Sequence, residues 1–490
     1  MAMQALYDHP GFAPVEDELT GVPLTISGSL PRELDGLFLR NGTNPLFAQR
    51  RRHMFDGEAM IHQIEIRNGE ARYSNCIVRT PRTKQVMAAG RNRFIGFGEL
   101  TGGGRGALVR LLGERLKVRL GLLPAIDPLH NVASSTAVLH HGDRLYGLQE
   151  TGLPFAFDVA RDDEGWLRIS GEGRIEDFDG SLAVPFSAHP KTDATSDEVH
   201  SVGHDILSGA THHSVLHPGG VRSREVARAA VAPFFVHDSV LTDRFMIFPD
   251  SSLRFHAKGL AGPGESVATF DHAHPMRFGI IPRDGGELRW FETAKAGHIW
   301  HIVNGWEEGE QAIVIVAPVF RDYPADVPIH TPHEPPAELT RWRLDLVTGT
   351  VTDERVLLAD FHERPGINPG FAGKPSRFAW LLDQSGGTMG SGVLKYDLAE
   401  ERGAGRIDYD GFHGGEPLFV PRAGAAAEDD GWLIDLITTE SEAALIVIDA
   451  VTMVEQCRIL LPRRVPFGVH ALWIDRAATD QLTVTAEHDR

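Results

Sequence analysis

The strongest constraint on the fold is a recurrence. An apolar run ending in Asp and followed by a turn appears as RWRLDLVTG at Asp345, VLKYDLAEE at Asp397 and LIVIDAVTM at Asp449. Each copy stands 52 residues after the one before. PFAFDVARD, at Asp158, reads as an earlier copy, 187 residues upstream of Asp345. An Asp at a strand end favours a turn because its carboxylate can accept hydrogen bonds from the backbone just ahead. Repeats of ~40–50 residues point to propeller blades, small sheets that bury their faces only against their neighbours.

The rest of the chain reads the same way. DGLFLRNG, DRLYGLQE, DRFMIFPD, EQAIVIVAPVF and GWLIDLITTE are short runs rich in Val, Ile, Leu and Phe, edged by Gly, Asp or Pro. Gly 52 and Pro 30 in 490 residues exceed the usual ~7% and ~5% and match a chain with many turns. Few stretches keep a helical period beyond two turns. No Pro/Ser linker or low-complexity tract divides the chain. The expected fold is all-β, a propeller, with residues 1–490 as one domain.

Charge and composition remove several functions. A net charge of −19 offers no field to hold a phosphate backbone, so nucleic acid is not an expected partner. Cys76 and Cys457 allow at most one bridge and no C-x-x-C spacing. The opening MAMQALYDHPGFAPVEDEL has no basic segment followed by an apolar one, so no signal peptide is expected. No uncharged apolar stretch reaches the ~18 residues of a membrane span. The expectation is a soluble cytoplasmic protein, with one exception. Residues 106–126, GALVRLLGERLKVRLGLLPAI, mix Leu and Val with Arg110, Arg115, Lys117 and Arg119. Such a segment suits peripheral contact with a membrane interface, or an amphipathic helix packed on the body.

The chain has 24 His, and local context narrows the field. His189 sits in PFSAHPKTD, His237 in FFVHDSVLT, His301 in HIWHIVNGWEE and His470 in PFGVHALWI. Three of the four follow apolar or aromatic residues, as at a buried strand end. Successive members are 48, 64 and 169 residues apart; the first two gaps are near one repeat and the last near three. One His per blade, pointing at a common axis, would make an all-nitrogen site for Fe, Cu, Zn or Ni. His298 competes with His301, but three residues apart on a strand the two would face opposite sides.

At these residues the chain resembles the carotenoid cleavage oxygenases, non-haem iron enzymes that split carbon–carbon double bonds of carotenoids, apocarotenoids and stilbenes. The matching motifs run through nearly the whole chain: LFLRNGTNP, HMFDGEAMIH, GDRLYGLQETGLP, FSAHPKTD, VHDSVLTDRFMIFPD, HIVNGWEE, ERPGINP, GEPLFVPRAGAAAEDDG and PFGVHALWI. The resemblance implies a seven-bladed β-propeller with a dome of loops and helices over one face. It implies Fe2+ held by His189, His237, His301 and His470. Glu150, Glu363 and Glu416 fall where the family places carboxylates behind the ligand imidazoles. Carboxylates there would fix the tautomers and spread the metal's charge. Thr136 falls where the family keeps a small residue near an open iron position. Phe55 resembles an aromatic that contacts substrate, with core packing as the alternative. The implied reaction adds both atoms of O2 across a double bond of a hydrophobic polyene or aromatic alkene, giving two carbonyl products.

Two departures bear on substrate. The branch that cleaves phenolic stilbenes and phenylpropenes has Lys immediately before the first glutamate, whereas this chain has Gln149. It also has a Tyr-bearing loop where this chain reads RNRFIGFGELTGG. Both favour a carotenoid or apocarotenoid over a stilbene or phenylpropene. Readings from other classes are an iron-dependent isomerohydrolase and a propeller that only binds. Which Glu serves which His, and the oligomeric state, are left open.

Overall fold

The computed structural model describes residues 6–485 apart from 49–50, 52, 97–98, 100–103, 231–232, 234, 257–267, 324–334, 360–361, 386–388 and 469. Among these residues, seven sheets of four or five strands follow one another along the chain as the blades of a β-propeller, and an eighth, two-stranded sheet stands apart. In the second to sixth blades, strand order within each sheet follows chain order, and neighbouring strands are antiparallel. The second blade shows the pattern: Ala137–His141, Arg144–Leu148, Phe155–Arg161, Leu167–Ile175.

Both ends of the chain close the ring. The innermost strand of the first blade is Ala471–Asp475, paired with Gly36–Thr43 from Gly36↔Asp475 to Arg40↔Ala471. The outermost strand of the seventh is Thr25–Gly28, paired with Val454–Leu460. Each of these two blades thus takes a strand from the opposite end of the chain.

Burial follows position in the blade. Ala312–Phe320 and Gly431–Thr438, second strands of the fifth and seventh blades, are buried at every residue. Both faces of such a strand meet a neighbouring blade, so the sequence there is continuously apolar rather than alternating. Thr350–Leu358, at an outer edge, has no buried residue.

The Asp-ended runs are third strands turning into fourth strands. Asp345 Oδ1 accepts hydrogen bonds from the backbone N–H groups of Val347 and Thr348. Asp397 accepts from Ala399 and Glu400, and Asp449 from Val451 and Thr452. Asp158 corrects the reading: it lies inside Phe155–Arg161, beside a register shift between Phe157 and Val159. The turn of that blade is built by Asp162, whose Oδ1 accepts from Glu164 and Trp166. A strand-interior Asp and a turn Asp four residues later look alike in sequence. Cys76 and Cys457 are both buried free thiols.

Most of the helix lies in one connection. Residues 78–136 join the first blade to the innermost strand of the second, so they run toward the face where innermost strands begin. They contain Pro81–Ala89, capped by Thr80 and by the left-handed Gly90, and Gly104–Arg119. Of the latter's described side chains, Leu108, Arg110, Leu111, Glu114 and Val118 are half-buried and the others are exposed. No helix among the described residues is long and apolar enough to cross a membrane.

Candidate metal centre

The innermost strands share one direction, so their N-terminal ends open on one face. His470 stands immediately before Ala471–Asp475, and Thr136 immediately before Ala137–His141. His189 precedes Lys191–Thr192, His237 precedes Val240–Leu241, and His301 precedes Asn304–Glu308. Glu363 lies in His362–Gly366, and Glu416 precedes Leu418–Pro421. Every blade therefore contributes one of these residues from the same position. Glu150 follows Arg144–Leu148, whose antiparallel course ends on the same face.

The four imidazoles converge through Nε2. His189 and His470 approach to 3.2 Å, His237 and His301 to 3.2 Å, and His301 and His470 to 3.3 Å. All four ligand atoms lie within 4.8 Å of one another. Histidine nitrogens bind a first-row divalent ion at ~2.0–2.1 Å, so ligands at right angles around one ion sit ~3 Å apart. The donor set and its spacing fit such an ion.

Three of the rings have a carboxylate behind them. Glu363 Oε2 lies 2.5 Å from His301 Nδ1, and Glu363 Oε1 accepts from the His301 backbone N–H. Glu416 Oε2 lies 3.2 Å from His470 Nδ1 and accepts from the Ala471 N–H. Glu150 Oε1 lies 2.6 Å from His237 Nδ1, a close contact but out of line for a hydrogen bond. Among the described residues no carboxylate lies within ion-pair distance of the His189 ring. The structure thus pairs Glu150 with His237, Glu363 with His301 and Glu416 with His470.

The environment keeps these carboxylates charged. Burial pushes Glu363 up, but His301 and Arg364 outweigh it and hold the group at about 2. Glu150 and Glu416 are likewise raised by burial and lowered further by His237 and His470, ending below the ordinary value. A buried carboxylate accepting from Nδ1–H leaves the Nε2 lone pair free for a metal.

The remaining predicted residues fall close by. Thr136 Oγ1 donates to Glu150 Oε2 at 3.2 Å, which ties it to the His237 side of the centre. Phe55 is half-buried in an aromatic group with Phe235 and Trp300, at centroid separations of 6.1 and 6.4 Å. Trp300 stands edge-on to His237 at 5.4 Å. Position 149 carries no charge toward the site. Gln149 Oε1 accepts from the Ala133 and Ser134 N–H groups and shapes the strained turn at Ser134, φ 57. His298 is outside the cluster: its Nδ1 lies 2.6 Å from Ser251 Oγ, and burial pushes its imidazole down to about 3. Of the RNRFIGFGELTGG stretch, residues 97–98 and 100–103 lie outside the described residues.

Sequence reasoning did not single out Phe235, Trp300, Lys191 or Asp238. Their signal was adjacency: Trp300 directly precedes His301, and Asp238 directly follows His237.

The profile of the retinal pigment epithelial membrane protein family matches residues 12–475. The carotenoid 9,10(9',10')-cleavage dioxygenase 1 of Arabidopsis thaliana is 31% identical, over 96% of this chain and 90% of its own. The Crocus sativus carotenoid 9,10(9',10')-cleavage dioxygenase is 32% identical, over 95% of this chain and 88% of its own. Among solved structures, cobalt-substituted Synechocystis ACO, an apocarotenoid oxygenase, superposes with a TM-score of 0.77 at 24% identity, covering 95% of this chain and 98% of that one. Pseudomonas brassicacearum lignostilbene dioxygenase superposes at 0.78 and 22% identity, covering 96% and 99%. These two likenesses speak to fold. With one blade residue after another converging on a four-histidine centre, and a profile match across almost the whole chain, this protein belongs to the retinal pigment epithelial membrane protein family, that of the carotenoid cleavage oxygenases.

Proposed function

We propose that this chain is a non-haem iron dioxygenase that cleaves a carbon–carbon double bond of a carotenoid or apocarotenoid with O2, giving two carbonyl products. The observation that carries this reading is the four-imidazole centre with carboxylates behind three of its rings. His189, His237, His301 and His470 would hold ferrous iron, which when bound supplies the activation of dioxygen. Four neutral ligands leave such a site open to further ligands, and the three glutamates offset the metal's charge from behind.

The chain's own part is positioning. Glu363 and Glu416 keep the Nδ1 protons of His301 and His470 in place and Glu150 stands against the His237 ring, so the Nε2 lone pairs stay directed inward. Phe55, Phe235 and Trp300 give the His237 side an apolar wall suited to a polyene, and Thr136 occupies space beside Glu150. The reaction needs no protein acid or base; it needs the alkene held close and water kept out.

Carotenoid is preferred to stilbene on two grounds. The relatives near 31–32% identity are named for carotenoid cleavage, and Gln149 is engaged with backbone rather than presenting a cation to a phenol. The helix Gly104–Arg119 is the segment proposed to meet a bilayer, the reservoir of such substrates.

The test is turnover under oxygen-18 gas with iron-loaded protein, offered an apocarotenoid and a hydroxystilbene in parallel. Label in both carbonyl fragments of the apocarotenoid is the expected result. Cleavage of the hydroxystilbene alone would move the substrate to the phenolic branch. Isomerised or hydrolysed product without label would replace the dioxygenase with an isomerohydrolase.

A further inference from the structure

Among the described residues, His189 is the one ligand with no carboxylate behind its ring, yet its Nε2 is held 3.2 Å from that of His470. The structure offers a different restraint. Lys191, two residues after His189, forms an ion pair with Asp238 at 2.7 Å. Asp238 directly follows His237, and its other oxygen accepts the N–H of Ile302 at 2.8 Å, the residue directly after His301. A single carboxylate thus joins the chain segments that carry three of the four ligands. It also accepts from the Ser239 N–H at 2.7 Å, which fixes its rotamer. A second, weaker tie runs in parallel: Ser187 Oγ accepts the His189 N–H at 3.0 Å and donates to the His237 carbonyl at 3.5 Å.

Asp238 is buried at 4% exposure. A buried carboxylate without a cation is costly, and one with a cation and two backbone donors is held in a single geometry. The Lys191 charge is cancelled within the pair, so the brace adds no net charge beside the centre. Among the described residues no other ion pair joins positions within two residues of two ligand histidines; the Arg244–Glu307 pair ties the His237 and His301 blades farther along their strands.

We propose that the Lys191–Asp238 pair is a positioning device that holds His189 in the metal centre, in place of the carboxylate its ring lacks. This rests on the metal-binding reading above. A ring without a carboxylate behind it takes no orientation from a partner at Nδ1, so the placement of its backbone counts for more. The pair supplies that placement by tying the strand after His189 to the loops of His237 and His301. Neither residue belongs to the four-histidine cluster itself.

The test compares iron-loaded wild type with Lys191→Met, Lys191→Arg, Asp238→Asn and the Lys191→Met/Asp238→Asn double variant. Fe2+ affinity is measured against a competing chelator, and histidine ligands are counted by X-ray absorption. Removing a partner that orients a ligand costs ~10–100-fold in metal affinity, and Lys191→Met is expected to show that loss with nearer three histidines than four. Lys191→Arg restores both readouts. The double variant is no worse than Lys191→Met, because both remove one interaction. Lys191 is one-third exposed, so Lys191→Met keeps the test alive if Asp238→Asn does not fold. Wild-type affinity and four histidines in Lys191→Met, or no rescue by Lys191→Arg, would overturn the brace. Wild type that binds no iron would instead overturn the metal reading.

Discussion

At position 363, a carboxylate that is 5% exposed meets the His301 ring at 2.5 Å. Burial alone would raise its pKa, and His301 and Arg364 more than reverse that, bringing it from 4.5 to about 2. The sign follows from linkage. A depressed carboxylate contributes stability that is whole above its ordinary value and is lost as pH falls through the folded value. In metal-free protein, Glu363→Gln is therefore expected to flatten the loss of unfolding free energy between about pH 4.5 and about pH 2. Urea titrations at a series of pH values measure it, and an unchanged slope would remove Glu363 from the account. The same variant should bind Fe2+ about 10–100-fold more weakly, because the His301 tautomer loses its partner. Single residues of this kind were legible. Glu150, Glu363 and Glu416 stood in long motifs, while their pairing with His237, His301 and His470 was invisible because partners 54–87 residues apart meet only across blades.

At the scale of elements, the helix Gly104–Arg119 and the turn after it carry an unusual surface. Val109, Leu112, Leu116, Leu120 and Leu122 are 54–68% exposed, and all but the last recur at helical spacing. Arg115 and Arg119 are exposed beside them. Exposing that much apolar surface to water costs about 25 cal/mol per Å2, a cost that insertion among acyl chains removes. Leu112→Glu with Leu116→Glu is expected to abolish sedimentation with anionic vesicles while leaving thermal unfolding unchanged. Equal sedimentation of variant and wild type would show that this face does not meet lipid. The element's mixed pattern was legible; which side it exposes was not. Leu and Val spread over about half of the cylinder with Arg among them, and only the placement of the connection decides which residues face outward. The Asp-headed turns show the converse. Asp345, Asp397 and Asp449 were legible because the turn is local chemistry, whereas Asp158 was mistaken for Asp162 because a strand end has no mark beyond its neighbours.

At the scale of the molecule, stability depends on closing a ring. Among the described residues Ala471–Asp475 is the strand that joins the seventh blade's connection to the first blade's inner edge, and Ile474 packs there with Leu37, Leu39 and Ala59. A chain ending at His470 would expose a row of unpaired backbone groups along Gly36–Thr43. It is expected to lose cooperative thermal unfolding and near-ultraviolet circular dichroism; a truncated protein that unfolds like the full chain would show that closure is dispensable. Ring geometry also explains the spacings along the chain. From Thr136 through His189, His237, His301, Glu363 and Glu416 to His470, successive residues stand 48–64 apart, one per blade. The 169-residue gap between His301 and His470 is filled by the two blades that contribute Glu363 and Glu416.

By itself the sequence determined the β-rich repeat, its turns, and which residues could bind a metal, because propensity, turn chemistry and donor identity are properties of residues and near neighbours. The tertiary structure alone decided that seven strand mouths face one axis, that Gln149 spends its side chain on the backbone, and that Asp238 joins three ligand segments. Each of those depends on contacts between distant parts of the chain, which exist only once the blades have packed around a closed ring.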